Sequence, residues 1–226
     1  MRIIALGKHI NDPDLPIQYL QLSELTQEHL NDADYILISG GDGMLRRSVA
    51  ALSRFSDLPP VIFNPTGSFN VIAKLHRISP VKKILQKIKT DIPLQITQRP
   101  YYHLNDEIFL FSAGNMGDLN HIFLSESLRF GWLKNGVLKY LLAFLFLLPM
   151  HLITTPFMLA SKRRFFIFAP FSVIKKFGSF YGKVPHELSI DLDNEYNFIE
   201  LDGDIVPIKE SSIKIDHAGE IELVIG

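Results

Sequence analysis

Three glycines and one aspartate stand together in the stretch SGGDGM, which begins at Ser39. The glycines are Gly40, Gly41 and Gly43, and the aspartate is Asp42. Glycine adopts positive φ at no steric cost and lets a ligand approach the backbone, although it costs conformational entropy on folding. A tight turn needs only one or two glycines, so this cluster indicates a ligand against the backbone.

A second loop of similar composition follows in the stretch NPTGSFN, which begins at Asn64. Its candidate ligand-binding residues are Thr66, Gly67, Ser68 and Asn70. Each of the two loops follows an apolar run, YILIS or PVIFN, that predicts a buried strand. Ligands bind at the carboxyl ends of the strands in an open parallel sheet, so two such loops on adjacent strands would meet at one site.

Phosphate binding is the chemistry that these loops indicate. Backbone N–H groups at a helix N-terminus attract an anion through their unsatisfied donors and through the helix dipole. Asp42 would repel a bare phosphate, so it indicates either an intervening Mg²⁺ ion or a proton acceptor for an attacking hydroxyl. The alternative is a tight strand-to-helix turn that binds nothing.

Other known site patterns are absent from the sequence. Arg46 stands where the dinucleotide-binding fingerprint has its third glycine, and no GxxxxGK[ST] segment occurs. The histidines show no metal-ligand spacing, so no metal site built from protein side chains is predicted. No GxSxG elbow is present, which leaves a serine hydrolase unsupported.

The elements that must position the loops alternate between strand and helix. Strands are predicted at 2–6, 16–22, 35–39 and 60–64, with helices after both glycine loops and at 79–91. A short helix capped by Ser23 is expected between the second and third strands. This alternation predicts a doubly wound parallel sheet.

After residue 92 the pattern changes to short alternating strands separated by turn residues, which is typical of antiparallel sheets. We predict an α/β domain over 1–92 and a β-rich domain over 93–226. The expected fold class is therefore α/β plus β, in which a doubly wound domain precedes an antiparallel β-sandwich-like domain. A helix at roughly 134–148 is inserted in the second domain.

Composition is that of a globular protein, with 47% hydrophobic residues and a formal net charge of −1. This charge gives no argument for a nucleic-acid partner, and none is predicted. Cysteine is absent, which excludes disulfides, thiolate chemistry and sulfur-based metal sites. The lack of cysteine fits a reducing compartment, and a cytoplasmic location is expected.

The stretch YLLAFLFLLPM at 140–150 bears on membrane contact. Only about ten residues precede Pro149, whereas a spanning helix needs about 20, so a buried or interfacial helix is expected. The segments at 161–166 and 174–183 mix cations with aromatic residues. They are either exposed faces of strands or a peripheral contact with an anionic membrane.

Together the two glycine motifs resemble the catalytic core of the diacylglycerol kinase and sphingosine kinase superfamily. Its members carry a GGDGT turn, matched here by residues 40–43, and a P-x-G-T-x-N-D-hydrophobic-A-R segment further along. The matches to the second motif are Pro65, Gly67, Asn70 and Ala73, with Ser68 and Lys74 as conservative replacements. The segments NGVLKYLLAFL and IELDGDIVPI resemble two later family motifs, with Asp204 where glutamate is usual.

The resemblance implies an enzyme that transfers the γ-phosphate of ATP, with Mg²⁺, to the hydroxyl of a lipid such as diacylglycerol. The resemblance also makes 1–92 an abbreviated nucleotide-binding domain and 93–226 a β-sandwich-like domain for the acceptor or a lipid, with the active site between them. ATP phosphates would lie on the glycine loops. By family analogy Asp204 is the leading catalytic base, Asp202 is its neighbour and Asp42 is the rival. The alternative for the DGD segment is an ordinary hairpin turn.

Three departures from the family keep other functions open. Met44 replaces the threonine of GGDGT, Val71 replaces the aspartate of the second motif, and no N-P-x-S-G loop precedes the third strand. The family's segment for a structural Mg²⁺ is not visible either, so a metal would arrive with the nucleotide. One alternative is a non-catalytic descendant that binds nucleotide or lipid, and a less favoured one is an NAD kinase-like enzyme. The oligomeric state stays open, and a homodimer paired through an edge strand of the β-rich domain is one arrangement.

Overall fold

The computed structural model describes residues 1–10, 12, 14–116 and 138–226, apart from the side chain of Tyr140. The chain divides into two compact units. The first comprises Met1–Tyr102 and His217–Gly226, and the second comprises His103–Asp216. The sequence prediction placed a single domain change near residue 92, whereas this division returns the last residues of the chain to the first unit.

A parallel sheet forms the centre of the first unit. Its strands are β1 (Ile3–Gly7), β2 (Ile17–Leu20), β3 (Tyr35–Gly40) and β4 (Val61–Pro65), in the order β2-β1-β3-β4. The end of β13 (Ser212–Val224) adds to β4 in parallel, through Leu223 and Val224. Nearly every side chain of β1 and β3 is buried, as expected for a parallel sheet covered on both faces.

The α-helices described in the first unit are α1 (Gln27–Asn31), α2 (Asp42–Leu52), α3 (Val71–Leu75) and α4 (Val81–Lys89). Leu45, Val49 and Leu52 lie buried on α2, as their helical spacing predicts. In α4, Ile84 and Leu85 pack into the core of the sheet. Both glycine loops lie at the carboxyl ends of β3 and β4, immediately before α2 and α3.

The predicted helix cap at Ser23 is wrong. Ser23 lies in a separate 3₁₀ turn, Leu22–Glu24, which closes because the Glu24 carboxylate accepts a hydrogen bond from the Gln21 N–H at 2.7 Å. The cap of α1 is Thr26, whose hydroxyl accepts a bond from the His29 N–H at 3.3 Å.

The second unit is rich in β structure. Its five-stranded sheet has the order β12-β11-β7-β8-β9, antiparallel except between β8 and β9. The strands of that sheet are β7 (Ser112–Gly114), β8 (Phe166–Phe168), β9 (Phe180–Tyr181), β11 (Asn197–Leu201) and β12 (Asp204–Ile208). Two other strands of this unit are β6 (Glu107–Phe109) and β10 (Glu187–Asp191), and β10 pairs with the first part of β13. Strand β5 (Ile96–Leu104) begins in the first unit and ends in the second. The predicted fold class, a parallel α/β domain followed by a β-rich one, is confirmed.

The inserted helix differs from its prediction. Helix α5 covers Leu138–Ala160, and residues 134–137 of the predicted range lie outside the described residues. The helix continues through Pro149 and Pro156, although an interior proline removes one backbone hydrogen bond and disfavours a helix. The expectation that this helix ends near residue 148 is therefore wrong.

The sequence predicted that this helix is either buried or interfacial, and the buried position is wrong for most of the length of α5. Among the described residues, this is the one helix long and apolar enough to cross a membrane, over Leu141–Ala160. Only 6% of that window is buried inside the protein. Nothing within the described residues therefore covers most of this apolar helix.

Candidate functional site

The two glycine loops lie in contact in the first unit. Gly40 is in register with Pro65, and the Thr66 N–H donates to the Gly40 carbonyl at 2.8 Å. A Cβ atom added to Gly67 would lie 2.6 Å from the Gly41 Cα, which leaves no room for a side chain there. The parallel pairing of β3 and β4 therefore brings together the candidate residues of both motifs.

Close packing explains these glycines better than unusual backbone angles. Among the described residues, the glycines with positive φ are Gly7, Gly178 and Gly203, and none of them belongs to the two loops. A Cβ at Gly40 would lie 2.4 Å from the Cβ of Met44. The approach of the two loops therefore requires glycine at 67, and the first turn of α2 requires it at 40, even before a ligand is considered.

Asn70 closes the second loop. Its backbone is in the left-handed region, with φ 48° and ψ 56°, which asparagine tolerates better than most residues. Its side-chain carbonyl accepts the Gly67 N–H at 3.0 Å, and its amide donates to the Gly67 carbonyl at 2.7 Å. Asn70 therefore precedes α3 while its side chain faces back into the loop.

The side chain of Asp42, and not that of Asn70, caps the N-terminus of α3. One carboxylate oxygen accepts the Val71 N–H at 2.8 Å, and the other accepts the Ile72 N–H at 3.2 Å. Burial raises the pKa of Asp42, while these two hydrogen bonds and the charge of Lys74 act in the opposite direction. The aspartate of the first motif thus joins the start of α2 to the start of α3.

The N-terminus of α2 is accessible at this point. Gly41 is its N-cap and has no side chain to bond the first helical N–H groups, which belong to Asp42, Gly43 and Met44. Gly41 and Gly43 are half-buried, and Thr66 and Gly67 are exposed. An anion can approach backbone donors here, and the helix dipole favours it.

A hydrogen-bonded polar pair, which the sequence did not predict, joins the two strands that carry the loops. The Asn64 amide donates to the Ser39 hydroxyl at 3.2 Å, joining the ends of β4 and β3. The available signal was a polar residue at the end of each apolar strand, at positions 39 and 64. A cross-strand pair of this kind cannot be identified before the strand register is known.

The DGD segment in the second unit forms a two-residue hairpin turn. Leu201 of β11 pairs with Asp204 of β12, and Asp202 and Gly203 between them have φ of 51° and 89°. Positive φ at both central positions is the requirement of a type I′ turn. The hairpin, which the sequence left as an alternative, is thus what this segment forms.

Asp202 is buried against three backbone donors. Its carboxylate accepts the N–H groups of Leu110 at 2.6 Å, Phe111 at 2.9 Å and Ser112 at 2.9 Å. Burial, reinforced by the nearby Glu200, raises the pKa of Asp202 to about 7 although the three hydrogen bonds oppose the shift. This side chain fixes the turn to the start of β7.

Asp204 occupies a different environment from Asp202. It begins β12 and is half-buried. On the partner strand β11, the Glu200 carboxylate accepts hydrogen bonds from the Ser112 hydroxyl at 2.9 Å and from the Gly203 N–H. Glu200 was missed by sequence reasoning, since an acidic residue in a strand is usually a solvated one.

No group of three or more His, Asp or Glu side chains within the described parts of the chain could hold a metal ion. Both oxygens of Asp42 are engaged by backbone donors, so this residue alone does not make a Mg²⁺ site. Mg²⁺ commonly keeps several waters and is held largely by substrate phosphates, which fits a metal carried by a nucleotide.

Comparison with known proteins gives one family and a shared fold. Residues 17–97 match the family described as the diacylglycerol kinase catalytic domain, a range that contains both glycine loops. No curated protein sequence gives a match. The crystal structure of a diacylglycerol kinase from Bacillus anthracis strain Sterne superposes with a TM-score of 0.54 at 11% identity, over 100% of this chain and 96% of that chain. An NAD kinase from Archaeoglobus fulgidus in complex with ATP superposes with a TM-score of 0.45 at 11% identity, over 99% and 93% of the two chains.

Proposed function

We propose that this chain, which through residues 17–97 belongs to the diacylglycerol kinase catalytic-domain family, transfers the γ-phosphate of ATP to a lipid hydroxyl. The family resemblance predicted from the two glycine motifs is confirmed by that match. The observation that carries the proposal is the contact between the GGDG and PTGS loops, beside an uncapped helix N-terminus. The activity and its lipid acceptor are our inference.

Phosphate binding by these loops follows from their chemistry. The N–H groups of Gly43 and Met44 stand at the start of α2, where the helix dipole attracts negative charge. The exposed Thr66 and half-buried Ser68 add hydroxyl groups at the neighbouring strand end. Because Gly41 and Gly67 have no side chains, a phosphate oxygen could come within hydrogen-bonding distance of the backbone.

Bound ATP would supply the phosphoryl group, and a Mg²⁺ ion held by its phosphates would offset their charge. In the transfer, the bond between the γ-phosphorus and the bridging oxygen breaks, and a bond to the lipid hydroxyl oxygen forms. The products are a phosphorylated lipid and ADP, and the hydroxyl proton must pass to a base. The chain's own task is to position the reactants and to accept that proton.

Asp204 is the better candidate for the base within the DGD segment. Asp202 is buried and accepts three backbone hydrogen bonds, so it has little freedom to reach a substrate. Asp204 is half-buried at the first position of β12. A carboxylate that takes a proton must lie within hydrogen-bonding reach of the reacting hydroxyl, which favours the more accessible residue.

The test is transfer of labelled phosphate from ATP, with Mg²⁺, into micelles that offer diacylglycerol, sphingosine or undecaprenol, with NAD in a parallel assay. We expect labelling of one lipid, and a loss of about 100-fold or more in Asp204→Asn. Asp191→Asn at the end of β10, in the same unit, is the matched control and should keep its activity.

Two results would overturn the proposal. If no acceptor is labelled while ATP still raises the melting temperature, the protein is a non-catalytic nucleotide-binding protein. The family departures at Met44 and Val71 leave that function open. Labelling of NAD alone would indicate an NAD kinase-like enzyme.

We further propose that the protein is cytoplasmic and takes its acceptor from the membrane surface.

A further inference from the structure

Helix α5 exposes an apolar surface that covers two adjacent faces. Phe146, Ile153 and Phe157 share one face by their spacing, and their exposed fractions are 76%, 68% and 75%. Leu141, Leu145 and Leu152 share the next face and are also at least half exposed. Contiguous apolar surface of this kind marks a site of contact with another molecule or with a membrane.

A second exposed segment continues this surface. Residues 171–178 are all exposed, and Val173 among them is 95% exposed. The segment is held against the end of α5, because the Ser179 N–H donates to the Leu159 carbonyl at 2.9 Å. Phe177 and Gly178 line an open apolar groove of about 770 Å³ together with α5.

Charge along the segment is distributed as a bilayer interface requires. Residues 140–160 contain no Asp, Glu, Lys or Arg. Exposed cations follow at once, in Lys162, Arg163 and Arg164, of which Arg163 is paired with Asp193 at 2.7 Å. Two more cations stand at Lys175 and Lys176 within the exposed segment. Apolar side chains beside a group of cations match acyl chains beside anionic headgroups.

The strand pairing argues against a single crossing of the membrane. Strands β7 and β8 flank the α5 region and pair directly, with Gly114 opposite Phe166. A chain that crossed along α5 would have to cross again before it, between Asn115 and Leu138. That stretch carries Asp118, Glu126, Arg129 and Lys134 and has no apolar run of about 20 residues.

We propose that α5 and residues 171–178 form an anchor that lies in the interface of an anionic bilayer, with both ends of α5 on the same side. The anchor deepens the proposed function, since it would hold the protein at the surface that contains a lipid acceptor. Binding to vesicles needs neither ATP nor transfer, so the anchor and the kinase activity can fail separately.

The first test is co-sedimentation with vesicles of phosphatidylcholine alone or mixed with phosphatidylglycerol. The double variant Phe146→Ser/Phe157→Ser should bind the mixed vesicles about tenfold more weakly or worse, because it removes two large apolar contacts. The control is Phe198→Ser on β11, an aromatic that is 49% exposed on another element, and its binding should not change. Lys175→Gln/Lys176→Gln should reduce the preference for the anionic vesicles.

The second test determines on which side of the membrane each end of α5 lies. Since the chain has no cysteine, Leu138→Cys and Lys162→Cys each introduce a single thiol. An impermeant maleimide outside sealed vesicles should label both variants to the same extent as in detergent. Protection of one end until the vesicles are dissolved would mean that α5 crosses, and would overturn the proposal.

Two further results would also overturn the inference. One is equal binding of the Phe146→Ser/Phe157→Ser variant and the unaltered protein to the mixed vesicles. The other is that the unaltered protein does not bind vesicles and forms a dimer in solution, whereas the Phe146→Ser/Phe157→Ser variant is a monomer. That result would assign the surface to a second copy of the chain.

Discussion

The carboxylate of Asp42, at the first position of α2, accepts a hydrogen bond from the backbone N–H of Val71, at the first position of α3, over 2.8 Å. Position 71 is a departure from the family motif, since Val71 stands there in place of aspartate. The contact uses only the backbone of residue 71, so the substitution leaves it intact. The junction between the two loops therefore does not depend on the side chain at that position.

Replacement of Asp42 by asparagine should destabilise the first unit. An amide can accept from only one of the two N–H groups and turns its own donors toward the other, so an N–H loses its partner. We expect a loss of about 1–3 kcal/mol in the free energy of unfolding, measured by urea titration. Asp57→Asn, at an exposed position with positive φ, is the control and should change little. Unchanged stability of Asp42→Asn combined with a loss of ATP binding would instead assign Asp42 to the ligand.

Alanine at Gly67 should be worse than alanine at Gly41. The new methyl group at 67 would lie 2.6 Å from the Gly41 Cα, whereas the one at 41 would lie 3.3 Å from the Gly67 Cα. We expect Gly67→Ala to cost about 1–3 kcal/mol of stability through overpacking, and Gly41→Ala to cost less. Thermal unfolding of the two variants side by side tests the order, and the reverse order would contradict the observed packing.

Asn70 combines a left-handed backbone with two side-chain hydrogen bonds to Gly67. Asn70→Gly loses the bonds but keeps a backbone suited to positive φ, and Asn70→Ala loses both advantages. We expect Asn70→Ala to be the less stable variant by about 1 kcal/mol. Equal melting temperatures for the two variants would show that the backbone angle contributes nothing measurable.

Asp202 should give stability a dependence on pH. Its pKa is raised to about 7 in the folded protein, mainly by burial. The unfolded pKa is about 3.9, so between these values the folded protein binds more protons than the unfolded one. The free energy of unfolding therefore falls as pH rises from about 4 to 7, by up to about 1 kcal/mol per pH unit. Urea midpoints across this range should show the decline in the unaltered protein.

Asp202→Asn supplies the control for that pH dependence. Asparagine tolerates the positive φ of position 202 but does not titrate. Its stability should therefore lack this contribution, whatever its absolute value. Parallel pH profiles of the two proteins would mean that other groups cause the decline.

Sequence reasoning succeeded where local pattern decides the structure. Continuous apolar runs predicted β3 and β4, and helical spacing predicted the buried face of α2. From those elements the topology rule brought both glycine loops to one edge of the sheet. Family resemblance then gave these loops a chemical meaning that spacing alone left open.

The failures have equally specific causes. The partners of Asp42 are backbone N–H groups, which every residue except proline offers, so no residue type at positions 71 and 72 could reveal them. Proline weakens a helix in isolation, yet α5 continues past Pro149 to Ala160. The pairing of Val61 with Leu223 joins distant parts of the chain and leaves no local signal.

That same pairing bears on the order of events during synthesis. Strand β4 is complete at Pro65, but its neighbour in the sheet arrives only when residues 217–224 have been made. Until then a nascent chain has the glycine loops but presents β4 as an open edge, a surface prone to pairing with other chains. Folding of the first unit is thus coupled to translation of the whole second unit, which separates its two parts in the sequence.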